Sequence, residues 1–502
     1  MSNFRHDIVY YAYDKAHALV DYNIYDDIDK RHEFRKQIID TDDSLTDVEK
    51  LKVIEFLNYD YYYHKILLKI GKKRICENCQ EECLATSYCE YCIRNYLAAK
   101  FKKWTSGNND IDDLIRKCQI ESLGPSKIIE WIPFYNLLNV KLLTKGGCSE
   151  IYTAEWFDGQ YCEWNSTERL LKRNRSNRSN IVILKKLNNI ENANRSWFEE
   201  AKFHLTIANR WPDIVQCYGL TQDPFDKTYM LVMRKLDTDL RKYLQQNHNQ
   251  LTWKERIKIT VDIINALSRI HGENAIHRDL HSGNILYYEY TNSWFIGDFG
   301  FCGPVDKPLG SIYGNLPYIA PEVIREKGYT FASDIYSIAM IMWEISSGQP
   351  PFTNCKHSYN LALDIINGRR PKIVPGTPSK YEELMIQSWD ADPTKRPDTK
   401  TLLDKIEDIN RLYYQSTQDN NETEKFLIFP SFYYLYLIIR YLAGSMSSNI
   451  YRSEIYQEAC HSKLYSFNIP EDNNEEDIYN NANLHSEDQD ELEIPDDLNY
   501  EN

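Results

Sequence analysis

The last 32 residues of this 502-residue chain contain no lysine and no arginine, while thirteen of them are aspartate or glutamate. This segment, Glu471 to Asn502, carries most of the net charge of -15, so the rest of the chain is close to neutral. A near-neutral body lacks the basic footprint of a nucleic-acid-binding domain. Because the segment also has few apolar residues, we predict a disordered acidic tail over 471–502. Its role is that of a solubilising end, of a segment that binds a basic partner, or of an autoinhibitory segment that contacts a cleft of the folded body.

The first ten residues, MSNFRHDIVY, lack the apolar run of a signal peptide, and no internal repeat is found. We therefore expect a cytoplasmic protein with reduced cysteines. One apolar stretch, Phe426 to Gly444, is at the short end of membrane-spanning length and includes Pro430 and Arg440. We expect no membrane span there. A helix packed on the folded body and a stretch introduced by faulty gene prediction both stay open.

Two cysteine pairs with short spacing lie upstream, Cys76-x2-Cys79 and Cys89-x2-Cys92, separated by nine residues. Four thiolates at this spacing can close a tetrahedral Zn2+ site without a large core, and such a site folds a region and does not catalyse. Cys83 is left over. Free structural cysteines and disulfides are the alternatives, and disulfides do not suit a cytoplasmic chain.

Three motifs follow one another in the second half of the chain: HRDLHSGN at 277–284, DFG at 298–300 and APE at 320–322. Their order and spacing resemble the catalytic half of a protein kinase. The resemblance implies phosphoryl transfer from ATP to a protein hydroxyl. In that reaction Asp279 accepts the proton of the attacking hydroxyl, while Asn284 and Asp298 hold Mg2+ through their oxygens.

The upstream part of a kinase domain is recognisable in VILK at 182–185 and SWFEEAKFH at 196–204. Lys185 resembles the lysine that holds the α- and β-phosphates, and Glu200 the helix glutamate that pairs with it. Lys186 is the competing choice. Because strand side chains alternate, only one of the two lysines can face the cleft.

The resemblance also assigns residues that hold the larger lobe together. Asp334 is expected to brace the catalytic loop, and Glu322 and Arg396 are expected to form a buried ion pair. Met233 resembles the residue at the back of the nucleotide pocket, and Lys235 lies in the hinge that binds adenine through its backbone.

The glycine-rich loop departs from the family pattern. The three glycine places fall at Thr144, Gly146 and Ser149, so only Gly146 remains, supported by Gly147. Glycine allows the backbone to approach phosphates closely, so the replacements are expected to stiffen or lift the loop. Ile183, in the place usually held by alanine, could crowd the adenine.

The residues that distinguish acceptor hydroxyls are also unusual. His281 stands where serine/threonine kinases carry a lysine, and Asn315 replaces their marker threonine, while Pro317 does not restore a tyrosine-kinase arrangement. The chain most resembles the tyrosine-kinase-like group, and within it an expanded fungal family that carries an N-terminal CxxC...CxxC element. That resemblance implies serine/threonine or dual specificity.

Regulation is suggested by Arg278, which precedes Asp279 and could receive a phosphate on the activation loop. Ser311 and Tyr313 are the candidate sites, phosphorylated by an upstream kinase or by the chain itself. The alternative is that Arg278 only binds local acceptors.

The predicted layout has five parts, and the fold class is α+β with a bilobal kinase fold. Residues 1–70 form a helical region, 71–130 a zinc-knuckle-like region with a linker, 137–410 the kinase domain, 411–470 an apolar and irregular extension, and 471–502 the tail. We expect a small lobe of five strands and one helix above a helical large lobe. In the first part, SLTDVEKLKVIEFL predicts a helix with Ser44 and Asp47 as its capping box.

Two functions of other classes compete with the enzyme. A pseudokinase scaffold would bind nucleotide or partners without phosphotransfer, as the departures at Thr144, Ser149, Ile183 and His281 suggest. A zinc-bearing adaptor would use the cysteine region instead. The complete set of base, metal and lysine–glutamate residues favours the kinase.

Overall fold

Three helices open the chain, α1 (His6–Ala18), α2 (Ile28–Asp40) and α3 (Asp47–Leu68). The computed structural model describes residues 5–145, 150–174, 180–187, 197–304, 312–353, 355, 359–419 and 462–465. Ala12 and Ala16 of α1 pack against Ile39 of α2 and against Val53 and Leu57 of α3. Small residues on α1 let the three helices approach closely, and they form a core of their own.

Helix α3 begins at a capping box made by Thr46 and Glu49. The Thr46 hydroxyl accepts the Glu49 N–H at 3.4 Å, and the Glu49 carboxylate accepts the Thr46 N–H at 2.9 Å. Ser44 is held instead by Asp42, which accepts both its N–H and its hydroxyl. The predicted helix is therefore confirmed, whereas the prediction of Ser44 and Asp47 as its capping box is wrong.

The cysteine region consists of a short antiparallel hairpin and two helices. The hairpin pairs β1 (Arg74–Ile75) with β2 (Glu82–Cys83), and the helices are α4 (Glu90–Ala98) and α5 (Asn109–Ile120). Asn108 caps α5 by accepting the backbone N–H groups of Asp110 and Ile111.

A twisted sheet and a hairpin follow, built from β3 (Glu130–Trp131), β4 (Leu137–Lys145), β5 (Glu150–Trp156), β6 (Tyr161–Asn165), β7 (Leu170–Arg173), β8 (Ile181–Lys186), β9 (Cys217–Gln222) and β10 (Tyr229–Arg234). The sheet order is β3-β9-β10-β8-β5-β4, and β6 pairs with β7 beside it. Among the described strands of this sheet, β3 alone is parallel to its neighbour. The small lobe thus has one sheet strand more than predicted, because the linker supplies β3.

The approach of β3 depends on Gly219 of β9. This glycine has a φ of +149°, and a Cβ there would lie 1.8 Å from the carbonyl oxygen of Glu130. Any side chain would therefore push β3 off the sheet.

Helix α6 (Trp197–Ile207) covers this sheet and is itself covered by α5. Ile111 and Ile115 of α5 are fully buried in one core with Leu205 of α6, and the Cys118 thiol donates to the Leu205 carbonyl. The region before residue 137 therefore packs directly on the helix that carries Glu200.

The large lobe contains helices packed around the largely buried α10, together with short strands. Its elements are β11 (Thr238–Asp239), α7 (Leu240–Asn247), α8 (Trp253–Gly272), β12 (Ala275–Ile276), β13 (Ile285–Tyr288), β14 (Ser293–Ile296), β15 (Gly303–Pro304), β16 (Ile312–Gly314), α9 (Pro321–Ile324), α10 (Phe331–Ser347), α11 (Tyr359–Ile366), α12 (Ser379–Ser388) and α13 (Thr399–Asp419). The three N-terminal helices dock on this lobe, where Lys254 of α8 donates to the Tyr11 hydroxyl at 2.6 Å and Arg411 of α13 lies 3.6 Å from Asp21.

The last described element, β17 (Lys463–Tyr465), pairs antiparallel with β16. Residues 426–444 and 471–502, for which we predicted an apolar segment and an acidic tail, lie outside the described residues. Among the helices that the structure describes, none has the length and apolar character needed to cross a membrane.

Candidate active site

The loop between β12 and β13 is held by one buried carboxylate. Asp334 of α10 accepts the backbone N–H groups of His277 at 2.7 Å and Arg278 at 3.0 Å, and the His271 ring lies 3.0 Å from it. Arg278 has a φ of +70°, which is rare for a residue with a side chain and persists only where its surroundings hold it. The next residue, Asp279, is therefore placed by a backbone that cannot shift freely.

Asn284 and His281 lie beside Asp279. The Asn284 amide donates to the Asp279 carbonyl at 2.8 Å, which closes the loop on itself. The His281 Nδ1 accepts the Gly283 N–H at 3.0 Å, so in the neutral ring the proton is on Nε2. That Nε2 lies 3.8 Å from the Asp279 carboxylate. The residue that replaces the family lysine thus turns its proton toward the carboxylate.

Lys185 of β8 meets two carboxylates in the cleft between the lobes. Its Nζ lies 2.7 Å from Glu200 of α6 and also forms an ion pair with Asp298. Lys185 and Glu200 are buried, whereas 41% of the Asp298 side chain is exposed. Of the two carboxylates, that of Asp298 is the one that solvent reaches, since Glu200 is buried. The structure therefore brings together the lysine, the helix glutamate and the DFG aspartate.

Phe299, the residue after Asp298, joins the two lobes through aromatic contacts. It is fully buried, and its ring centroid lies 5.0 Å from His204 and 5.5 Å from Phe203, both of α6, and 5.5 Å from His277 of the catalytic loop. Burial lowers the pKa of His277, so its ring is neutral and donates to the Gly297 carbonyl at 3.0 Å. This stack holds α6 and the catalytic loop in one fixed relation.

The residues expected to contact the nucleotide lie on and beside β8 and β10, which pair with each other. Ile183 is paired with Met233 across these strands; Met233 is buried and Ile183 partly buried. Lys235 is exposed in the segment after β10. Thr144 is at the exposed end of β4, while Gly146, Gly147 and Ser149 lie outside the described residues.

A buried polar network beneath the catalytic loop was not foreseen from the sequence. Glu344 of α10 accepts the Ser282 hydroxyl at 2.8 Å and the Tyr318 hydroxyl at 2.6 Å, and Arg241 lies 3.8 Å away. Burial raises the pKa of Glu344, and Arg241 opposes that shift. The network ties the loop to α7 and α10. A charged residue inside the otherwise apolar run of α10 was the signal for it.

The ion pair between Glu322 and Arg396 is bidentate, with distances of 2.7 and 2.8 Å. Both side chains are buried, and Arg396 also donates to the carbonyls of Ala332 and Asp390. It locks α9 against the segment before α13.

The candidate regulatory residues fall on and near β16. The Arg278 guanidinium donates to the Phe301 carbonyl at 3.3 Å. Tyr313 is buried, stacks on the Phe301 ring at 3.5 Å and donates to the Ser462 carbonyl. Ser311 lies outside the described residues. As a phosphate acceptor Tyr313 would first have to leave this position.

Four thiols meet in the cysteine region: Cys76, Cys79, Cys89 and Cys92. Their sulfurs lie within 4.8 Å of one another, and the Cys76–Cys92 and Cys79–Cys89 pairs are 3.6 Å apart. Sulfurs bound to one Zn2+ at about 2.3 Å form a tetrahedron with edges of about 3.8 Å, whereas a disulfide needs about 2.05 Å. The spacing therefore fits a tetrahedral metal site and is longer than that of a disulfide.

One thiol of this set is already prone to ionise. Burial disfavours the Cys76 thiolate, but backbone N–H groups at Cys79 and Asn78 and the neighbouring thiols lower its pKa to about 6. Burial raises the pKa of Cys92 to about 12. A divalent cation would favour all four thiolates together. Cys83, the fifth cysteine, is buried beside Cys89 and Glu90.

The residue that sequence reasoning missed altogether is Ser462. Its hydroxyl donates to the Asp279 carboxylate at 2.6 Å, although 183 positions separate the two residues. No motif surrounds this serine, so no local signal could have found it.

Comparisons with known proteins identify the family of the chain. A family model described as protein tyrosine and serine/threonine kinase matches residues 139–406, more than half of the chain. A probable LIM domain-containing serine/threonine-protein kinase of Dictyostelium discoideum is 30% identical over 203 residues, which is 40% of this chain and 31% of the relative. The serine/threonine-protein kinase VIK of Arabidopsis thaliana is 32% identical over 218 residues, covering 41% and 49% of the two chains.

A human dual serine/threonine and tyrosine protein kinase is 30% identical over 197 residues, or 38% of this chain and 21% of the relative. In each case the similarity spans less than half the length of the relative.

Proposed function

This chain belongs to the protein tyrosine and serine/threonine kinase family, and on that premise we propose that it transfers the γ-phosphate of ATP to hydroxyl groups of protein substrates. The observation that carries the proposal is the joint placement of the Lys185–Glu200 pair, Asp298, Asn284 and Asp279 around one cleft. Phosphoryl transfer needs positioning and charge stabilisation more than covalent chemistry, and these residues supply both.

Asp279 would act as the base. A protein hydroxyl that enters the cleft donates its proton to this carboxylate as the oxygen attacks the γ-phosphorus, and ADP departs with the bond electrons. The Nε2 of the neighbouring His281 lies 3.8 Å from this carboxylate, beyond direct hydrogen-bond distance. Lys185 would hold the α- and β-phosphates while Glu200 keeps it oriented.

Mg2+ fits the donor set on this side of the cleft. Asp298 has a carboxylate that is partly exposed, and Asn284 uses its amide nitrogen on Asp279, which leaves its oxygen for a ligand. Oxygen donors of this kind suit a hard cation, which supplies charge neutralisation at the phosphates when bound.

We favour serine and threonine as acceptors, with tyrosine as a second acceptor. The relatives include serine/threonine kinases and a dual-specificity kinase. The substrates are proteins, and an upstream kinase or the chain itself would modify Ser311 or Tyr313.

The cysteine region is proposed to bind one structural Zn2+ through Cys76, Cys79, Cys89 and Cys92, because the sulfur spacing matches a tetrahedral site. None of the ten cysteines among the described residues forms a disulfide, which suits a reducing compartment, and we propose that the protein is cytoplasmic.

The test of the activity is incubation of the purified chain with ATP and Mg2+ and a generic protein substrate such as casein, beside an Asp279→Asn variant. Phosphate gained with the wild type and absent with the variant supports the kinase, and the modified residue type reports specificity. If the wild type gains and transfers none although nucleotide binds, the pseudokinase scaffold replaces the enzyme.

A further inference from the structure

A strand from the far end of the chain occupies the acceptor side of the active site. In the antiparallel pair of β16 and β17, Ile312 faces Tyr465 and Gly314 faces Lys463. Gly314 lies against the catalytic carboxylate, since a Cβ there would be 3.5 Å from an Asp279 oxygen. A segment that pairs with β16 is therefore guided to Asp279.

Ser462 is the residue immediately before β17, and its hydroxyl donates to Asp279 at 2.6 Å. This distance is that of a charge-assisted O–H to carboxylate hydrogen bond, and it lies within the reach required of a general base for the proton it removes. The hydroxyl thus stands where a substrate hydroxyl has to stand.

Contacts from both β16 and β17 hold the segment that contains Ser462 in place. Tyr465 is 9% exposed and packs in the main core, and the Tyr313 hydroxyl donates to the Ser462 carbonyl at 3.3 Å. The Tyr329 hydroxyl fixes β16 itself, because it bonds both the N–H and the carbonyl of Tyr313 at 2.9 and 2.5 Å. The position of Ser462 is therefore set by the register of the β16–β17 pair and not by a single side-chain contact.

We propose that Ser462 is an intramolecular phosphate acceptor, modified by the active site of its own chain; the proposal rests on the kinase activity proposed above. The Ser462 oxygen attacks the γ-phosphorus of ATP, its proton passes to Asp279, the bond between the γ-phosphorus and the β,γ-bridging oxygen breaks, and ADP leaves with the electron pair. Because acceptor and base are joined in one chain and prealigned, the step is unimolecular in the chain.

The product places a dianionic phosphate beside the Asp279 carboxylate. Like charges at this distance repel, and the phosphoserine is expected to leave the cleft and free it for other substrates. Unphosphorylated chain should therefore show a lag before it modifies an added protein.

The same contacts define the preferred acceptor in other proteins as a serine in an extended segment with an aromatic residue three positions later.

The test uses the full chain, treated with a phosphatase that is then removed, with ATP and Mg2+ over a 100-fold range of chain concentration. Phosphate on Ser462 is quantified by mass spectrometry, and transfer to casein is followed in parallel. We expect Ser462 to be modified at a first-order rate that does not change with chain concentration. Wild-type chain mixed with Asp279→Asn chain should leave Ser462 of the variant at least 10-fold less modified.

Three variants isolate the position from the general activity. Ser466→Ala, which removes a nearby serine of the same stretch, should leave Ser462 modification unchanged. Tyr465→Ala should slow it by about 10-fold, because the register anchor is lost. Ser462→Ala should modify casein without the lag.

Failure of the Ser462 proposal and failure of the proposed kinase activity give different results in this test. Casein phosphorylation with an unmodified Ser462, or a Ser462 rate that rises in proportion to chain concentration, overturns the intramolecular acceptor and leaves the kinase standing. Absence of phosphate on casein and on Ser462 alike overturns the proposed activity and this inference with it.

Discussion

Lys185 and Lys186 are neighbours on β8, yet their side chains point to opposite sides of the sheet. Lys185 enters the cleft and pairs with Glu200, while Lys186 pairs at the surface with Asp226 at 2.5 Å. The alternation of strand side chains makes two adjacent lysines chemically unequal. This gives a matched pair of substitutions for testing the site.

Lys185→Met is expected to lower phosphate transfer by 100-fold or more, because it removes the cation from the phosphate side of the cleft and leaves Glu200 buried without its partner. Lys186→Met should retain activity within about 2-fold, since surface ion pairs contribute less than ~1 kcal/mol. Steady-state transfer to casein measures both. Equal losses in the two variants would contradict the assignment of the cleft lysine.

Asp334→Asn is expected to loosen the catalytic loop. The amide can accept one of the two backbone N–H groups of His277 and Arg278 and turns a donor toward the other. An unsatisfied buried group costs about 1–3 kcal/mol, and a displaced Asp279 should slow transfer by at least 10-fold. Urea unfolding and transfer rates give the two effects. Asp364→Asn, in a surface pair with Arg369, is the control, and a comparable loss there would argue against the brace.

Glu322→Gln leaves the buried Arg396 guanidinium without its countercharge. Breaking one side of such a pair costs about 3–5 kcal/mol, so the unfolding midpoint in urea should fall markedly. Asp408→Asn removes the surface partner of Arg411 and should change the free energy of unfolding by less than ~1 kcal/mol. If Glu322→Gln is as stable as wild type, the pair does not hold the large lobe together.

Cys92→Ser should abolish Zn2+ binding and destabilise the cysteine region, because a structural site needs all four thiolates. Elemental analysis of the purified chain is expected to give one Zn2+ per wild-type molecule and none for the variant. Cys162→Ser, which changes an exposed cysteine of the small lobe, should keep the metal. A metal-free wild type that unfolds at the same temperature after chelation would refute the zinc site.

The stability of the docked N-terminal helices should depend on pH through Asp14. Burial raises the pKa of Asp14 to about 7, while Lys258 opposes the shift and Asp262 adds to it. Between pH 4 and 7 the folded chain therefore keeps a proton that the unfolded chain has released. The contribution of Asp14 to the free energy of unfolding falls as pH rises through this window, by at most ~1.4 kcal/mol per pH unit.

Urea unfolding at pH 5 and pH 7.5 measures this dependence. Asp14→Asn, which cannot titrate, should lose less stability between the two values than wild type does. Asp7→Asn, an exposed position on the same helix, should behave like wild type. An unchanged pH dependence in Asp14→Asn would place the effect elsewhere, with Glu407 as the next candidate because burial raises its pKa to about 7.

The sequence by itself determined the α+β class and named the candidate active-site residues. Asp279 and Asn284 lie five positions apart in one loop, and the order of the three motifs repeats a family pattern, so local spacing was sufficient to propose Asp279, Asn284 and Asp298. The cysteine spacing also identified the four thiols that come together in the fold. Local spacing was again sufficient, because the two cysteines of each pair are only three positions apart.

Only the tertiary structure decided which groups meet across long separations in the chain. It alone paired Glu344 with Ser282, added β3 to the sheet beside Gly219, and placed α5 on the helix that carries Glu200. It also brought Ser462 to Asp279 across 183 positions. Such contacts depend on the register of strands and the packing of whole helices, and no short pattern of residues encodes either of them.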